Sequence, residues 1–182
     1  MSIEKTISQY FSKILDDFDK LHNKSIKDVL PHNSKLKDGS WFYDKNSNTN
    51  KEHLLFNLYH EGKISPKSTD ICFNTRIFLQ KFSKIYNKQI YNAYFSLLRP
   101  SGIISLNKFK QQHITKNEKL EQDKNCFILG LLVEDPAKTC LILNGNKNYI
   151  RQMKLIRFDD KRQFGEFNLS NYDRLVLYIR LY

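Results

Sequence analysis

Two observations predict an α+β fold with a β-sandwich or open-barrel core. Helical periodicity is concentrated near the N-terminus, where Ile3, Ile7, Tyr10, Phe11, Ile14, Leu15, Phe18 and Leu21 recur on one face. After Asn87 the pattern changes to short β-rich runs separated by turn signals. Helices followed by six or more strands are the pattern of an α+β domain.

The first run predicts one amphipathic helix over residues 3–21. A polar, loop-like stretch follows from about Lys35 to Glu52, interrupted by Trp41, Phe42 and Tyr43. A second helix is expected around Thr69 to Ser83, where Ile71, Ile77, Phe78 and Phe82 share a face. The strand candidates are YNAYFSLL (91–98), GIISL (102–106), NCFILGLLV (125–133), TCLILN (139–144), QMKLIRF (152–158) and DRLVLYIRL (173–181). Pro100–Ser101–Gly102, Asp135–Pro136 and Asn144–Gly145–Asn146 punctuate them. The charged segment KFKQQHITKNEKLEQDK, residues 108–124, is long for a hairpin connection and reads as a solvated insertion or a lid.

The chain of 182 residues suits a single domain, 1–182, with a mainly helical lead over 1–90 and a β core over 91–182. A composition 40% hydrophobic and 13% aromatic, with 6 Gly and 4 Pro, argues for a packed globule. No apolar run approaches the roughly 18 residues of a membrane span, and MSIEKTISQYF lacks the apolar core of a secretory signal. Cys72, Cys126 and Cys140 have no metal-type spacing and suit free thiols in a reducing compartment, so a cytoplasmic location is expected. The net charge of +11 fits either a Lys- and Asn-rich composition or a basic binding surface. Nucleic acid is therefore a candidate partner, although no nucleic-acid motif accompanies the charge.

Five segments, in order, resemble the aspartyl/asparaginyl β-hydroxylase family of iron- and 2-oxoglutarate-dependent oxygenases. FNLYHEG (56–62) and ICFNTRIFLQKF (71–82) are similar to the family's opening segments. YFSLLRPSGIISLN (94–107) resembles its Y-S-x-x-x-P-G-T-H-I-x-x-H stretch, and FILGLLVEDPAKTCLILNG (127–145) its H-L-G-L-x-x-P stretch. KLIRFDDKRQFGEFNLSNYDRLVLYIRLY (154–182) aligns without gaps with the family's FDDSFEHEVWN segment and Arg-initiated last strand. The resemblance covers roughly residues 54–182. It implies a double-stranded β-helix (jelly-roll or cupin-like) core with the N-terminal helices packed on its outside.

Carried over residue by residue, the resemblance splits. Ser96 and Arg174 fall on positions that hold the 2-oxoglutarate carboxylate, which implies a carboxylate or anion site. The planar fork of an arginine can make two charge-assisted bonds to such a group. The bland alternatives are an ordinary strand serine and an arginine that snorkels to solvent. Arg180 shares the period-2 face of Arg174, with Val176 and Tyr178 between them, and joins Asn107 and Phe164 as expected pocket lining.

The metal positions depart from the family. Its two iron-binding histidines fall on Asn107 and Phe164, and its Arg and His before L-G-L fall on Cys126 and Ile128. Iron(II) sites of this class rely on imidazole with a carboxylate, and Phe164 offers no lone pair. No iron site and no resident cofactor are expected, while 2-oxoglutarate or another carboxylate remains compatible with Ser96 and Arg174. A relocated metal site would have to draw on His113 of the insertion with Asp160, and with Asp159 or Glu166 nearby. Asp159 and Asp160 also suit a turn cap. His22, His32, His53 and His60 show no ligand spacing.

The function expected from these residues is a non-hydroxylating relative that binds an anionic small molecule, peptide or protein partner. An active enzyme with a rebuilt metal site or metal-independent chemistry in the same pocket is the first alternative. A basic nucleic-acid-binding protein is the second.

Overall fold

Side-chain alternation along the strands sorts this chain into two cores. The computed structural model describes residues 2–25, 41–43, 53–104, 125–159 and 164–182. Its elements are α1 (Ile3–Ser25), β1 (Trp41–Tyr43), β2 (His53–His60), β3 (Lys63–Ile64), α2 (Pro66–Ile71), α3 (Phe73–Tyr86), β4 (Ile90–Leu98) and β5 (Gly102–Ile104). There follow β6 (Asn125–Leu132), a 3₁₀ turn (Pro136–Lys138), β7 (Thr139–Leu143), β8 (Asn146–Tyr149), β9 (Leu155–Phe158), β10 (Phe164–Asn168) and β11 (Arg174–Leu181).

One sheet of seven strands runs β1-β2-β4-β11-β6-β9, with β3 beside β2, and a second of four strands runs β5-β10-β7-β8. From β4 onward the chain winds back and forth between them. The orders β4-β11-β6-β9 and β5-β10-β7-β8 are those of a double-stranded β-helix, the eight-stranded jelly roll of cupin-type proteins. A chain wound in this way places its last strand, β11, at the centre of the larger sheet, between β4 and β6.

On β4 and β11 one set of alternating residues (Ala93, Phe95, Leu97; Leu175, Leu177, Ile179, Leu181) faces α1, α2 and α3. Those helices add Ile14, Phe18, Phe78, Leu79 and Phe82 to this outer core. The other set, including Tyr94, Val176 and Tyr178, meets Leu141 of β7 and Phe164 of β10 between the sheets. The helices therefore cover the outside of the larger sheet, as expected. Asp17 of α1 locks α3 in place: its carboxylate accepts hydrogen bonds from Thr75 N (2.7 Å), Thr75 Oγ1 (3.0 Å) and Asn74 Nδ2 (3.0 Å).

Several elements differ from the sequence expectation. The stretch around Trp41 contains a strand, because Trp41, Phe42 and Tyr43 pair with β2 in the register Trp41–Phe56. The lead over 1–90 also holds β2, whose near-continuous burial on both faces hides the period-2 signal. The second helix is two helices broken at Cys72. The run expected at 152–158 becomes a strand only at Leu155, because Met153 turns through φ 61°. β8 and β10 were not anticipated. The Asn144–Gly145 turn joining β7 to β8 has φ 49° and 81°, the paired positive values of a tight hairpin. The insertion 108–124, with His113, and the positions Asn107 and Asp160 lie outside the described residues.

Candidate functional site

Three adjacent strands of the larger sheet bring the site together. In register, His53 of β2 lies opposite Leu98 of β4, which lies opposite Arg174 of β11. Two positions further along, Leu55, Ser96 and Val176 are aligned. His53, Ser96 and Arg174 thus share one inward-facing patch. Glu166 of β10 faces them from the smaller sheet.

Arg174 Nη2 donates to Ser96 Oγ at 3.1 Å, and Arg174 Nη1 forms an ion pair with Glu166 Oε2. His53 Nε2 lies 2.8 Å from the same Ser96 Oγ. Ser96 accepts from the guanidinium, so its own hydroxyl proton is available for the imidazole. All four residues are buried, with exposures of 1% for Arg174 and His53, 3% for Ser96 and 5% for Glu166. Arg174 Nε has no hydrogen-bond partner among the described residues.

The sequence brought Ser96 and Arg174 to one place, and the structure puts them in direct contact. Arg174, 1% exposed, is not the solvent-reaching arginine of the bland alternative. What the sequence missed is the carboxylate: Glu166 supplies it from within the chain. His53 was also missed, because it opens a strand that showed no alternation. Asn168 is a third omission. Its Nδ2 lies 2.8–3.2 Å from the carbonyls of Leu98, Arg99 and Tyr172, and its Oδ1 accepts from Ser170 Oγ at 2.6 Å. That buried amide ties the end of β4 to the loop that delivers Arg174.

Phe164 stands where the resemblance puts an iron-binding histidine, and its surroundings are apolar. It is 4% exposed and packs edge-on against Phe158, centroids 5.1 Å apart. Phe158 in turn meets Tyr178, which stacks on Tyr94 at 4.5 Å. Cys126 and Ile128 sit in the same core, and Tyr178 donates its hydroxyl to Cys126 Sγ at 3.0 Å. A hydrocarbon ring cannot ligate a metal, so this position does not fit iron. Among the described residues no group of three His, Cys, Asp or Glu could hold a metal ion. Asp159 is exposed, and Glu166 is turned to Arg174 rather than to Phe164's end of the barrel.

Arg180 is a second buried cation on the inward side of β11, 5% exposed, with its guanidinium 5.6 Å from the Tyr91 ring centroid. Burial pushes the Cys140 thiol above its ordinary range, with Lys147 opposing and Glu166 adding to the shift. Burial does the same for Cys72, reinforced by Asp17. These thiols stay protonated and inert.

No family model matches the chain, and no curated protein does. Among solved structures, a "predicted oxalate decarboxylase" from Thermotoga maritima is 13% identical, with a TM-score of 0.47, over 81% of this chain and 95% of that one. A prolyl-4-hydroxylase from Pseudomonas putida is 12% identical, TM-score 0.48, over 71% of this chain and 70% of that one. The Cupin_2 domain of an XRE family transcriptional regulator from Enterobacter cloacae is 11% identical, TM-score 0.37, over 50% and 80%. Their names describe different chemistries. The strand order of this chain carries the assignment of the cupin-type barrel. No helix among the described residues is long and apolar enough to cross a membrane.

Proposed function

We propose that this chain is a non-hydroxylating protein of the cupin-type barrel class, related in sequence pattern to the aspartyl/asparaginyl β-hydroxylases. It uses the barrel as a scaffold whose inherited anion position is closed from within, so an anionic small molecule, peptide or protein partner binds at another surface of the barrel. One observation carries the reading: the arginine expected to hold a cosubstrate carboxylate is already answered by Glu166 of the same chain. A carboxylate ligand at Arg174 and Ser96 must displace a buried, charge-paired side chain from a site 1–5% exposed. Breaking a buried pair costs on the order of 3–5 kcal/mol, comparable to the whole binding energy of a millimolar ligand. Phe164 supports the same reading from the metal side.

The latent character of the site is tested by Glu166→Ala. Removing the internal carboxylate should lower the melting temperature, and acetate or succinate should restore part of the loss. At 100 times its dissociation constant such a ligand returns about 2.7 kcal/mol. Wild-type protein should show no such response. Stabilisation of the wild type by succinate, lost in Arg174→Met, would mean that the site is an open ligand pocket.

A further inference from the structure

The outer face of the four-stranded sheet carries aromatic and apolar side chains bordered by cations. Strand pairing sets Ile103 beside Phe167, Phe167 beside Cys140, and Cys140 beside Tyr149, in one row across the sheet. These positions alternate away from the inward-facing Glu166 and Leu141. Ile103 is 43% and Tyr149 48% exposed, while Cys140 is buried in the row. Two positions further along, Lys147 stands beside Ile142. The three described helices belong to the other sheet's core.

The charge along β8 and the segment after it has one sign. Residues 144–157 contain Lys147, Arg151, Lys154 and Arg157 and no acid. Arg157 is engaged with Asn125 Oδ1, but Lys147, Arg151 and Lys154 are exposed. Tyr149 and Arg151, with Pro136 and Ala137, line an open groove of about 380 Å³. The cations are held on a braced segment. Met153 N donates to Gly130 O at 2.9 Å, and Gly130 N donates to Lys154 O at 3.2 Å. The backbones touch so closely that a Cβ on Gly130 would lie 2.2 Å from Arg151 O.

A half-exposed phenol ring shares the groove wall with a guanidinium, next to exposed Lys147 and Lys154. Asp135, beside Pro136, is paired with Lys138. This combination matches a polyanion with flat rings. Repeated phosphates satisfy the cations, and a base can stack on the ring whatever its identity. An acidic peptide would satisfy the charge but leave the ring face unused. We propose that the β8 edge of this sheet binds single-stranded nucleic acid, with Tyr149 stacking a base and Lys147, Arg151 and Lys154 contacting phosphates. The surface lies apart from the Arg174 cluster, so it stands or falls independently of the barrel interior.

Fluorescence anisotropy of labelled oligothymidylate and oligouridylate with the full chain tests it. Saturable binding that weakens steeply with salt is expected. Tyr149→Ala should weaken binding by about tenfold, and Tyr149→Phe, which keeps the ring, should retain it. Arg151→Ala should reduce the log–log salt slope by about one. Lys84→Ala on α3 should leave affinity unchanged. Absent binding, or a Tyr149→Ala protein that binds as well as wild type, overturns the proposal. Equal competition by polyglutamate overturns it too, since charge alone would then account for the binding.

Discussion

At Arg174 the interior of the barrel holds a buried cation, 1% exposed. Its guanidinium is taken out of water and answered by Glu166 and Ser96, which makes the pair costly to break and of little net value to keep. Glu166→Leu should therefore destabilise the fold by about 3–5 kcal/mol, because Arg174 is left buried and unpaired. The double change Glu166→Leu with Arg174→Met should recover most of that loss, as read from denaturant melts of both single variants and the pair. Additive losses instead would show that the two residues do not interact. Ser96→Ala should cost about 1–3 kcal/mol, since it strips a partner from both Arg174 and His53 in a buried site. Half of this cluster was legible beforehand. Ser96 and Arg174 sit in recognisable surroundings, whereas Glu166 and His53 become partners only through strand register, which no local pattern encodes.

Among the elements, β6 and the α2–α3 junction carry the sharpest constraints. Gly130 admits no side chain, because the backbone of Arg151 crosses it. Gly130→Ala should destabilise by about 1–3 kcal/mol, and it should also weaken any oligonucleotide binding by displacing Arg151. Cys72 ends α2 and starts α3 in full burial, and its raised thiol pKa has a consequence for pH. The unfolded thiol ionises near its ordinary value, about 8.5, while the folded one stays protonated. Stability from this group is thus complete below that pH and declines as pH rises above it. A Cys72→Ala variant, though weaker overall, should lose less stability than wild type between neutral and strongly alkaline pH in the same melts. The periodic α1 was readable from sequence because it shows one apolar face to the core. β2, β8 and β10 were not, being buried on both faces or too short and polar to alternate visibly.

At the scale of the whole molecule, winding order explains the fold better than composition does. Eight strands passing between two sheets place the first and last of the wound strands, β4 and β11, side by side, and so unite Ser96 with Arg174 across 78 residues of chain. The sequence supported an α+β barrel, and resemblance added the double-stranded β-helix. What it could not supply was whether the interior is a pocket or a core. At Phe164 it is core, and at Arg174 it is an ion pair. Of the 30 basic residues behind the net charge of +11, four (Lys147, Arg151, Lys154 and Arg157) fall in the acid-free run of β8 and the segment after it.

We propose that Phe164 and Arg174, which fall on oxygenase ligand positions by resemblance, do not serve oxygenase chemistry in this barrel. Consumption of 2-oxoglutarate by the wild-type protein with added iron(II), followed by proton NMR, tests it most directly. No consumption above a protein-free control is expected. Iron-dependent consumption that disappears in Arg174→Met would contradict it.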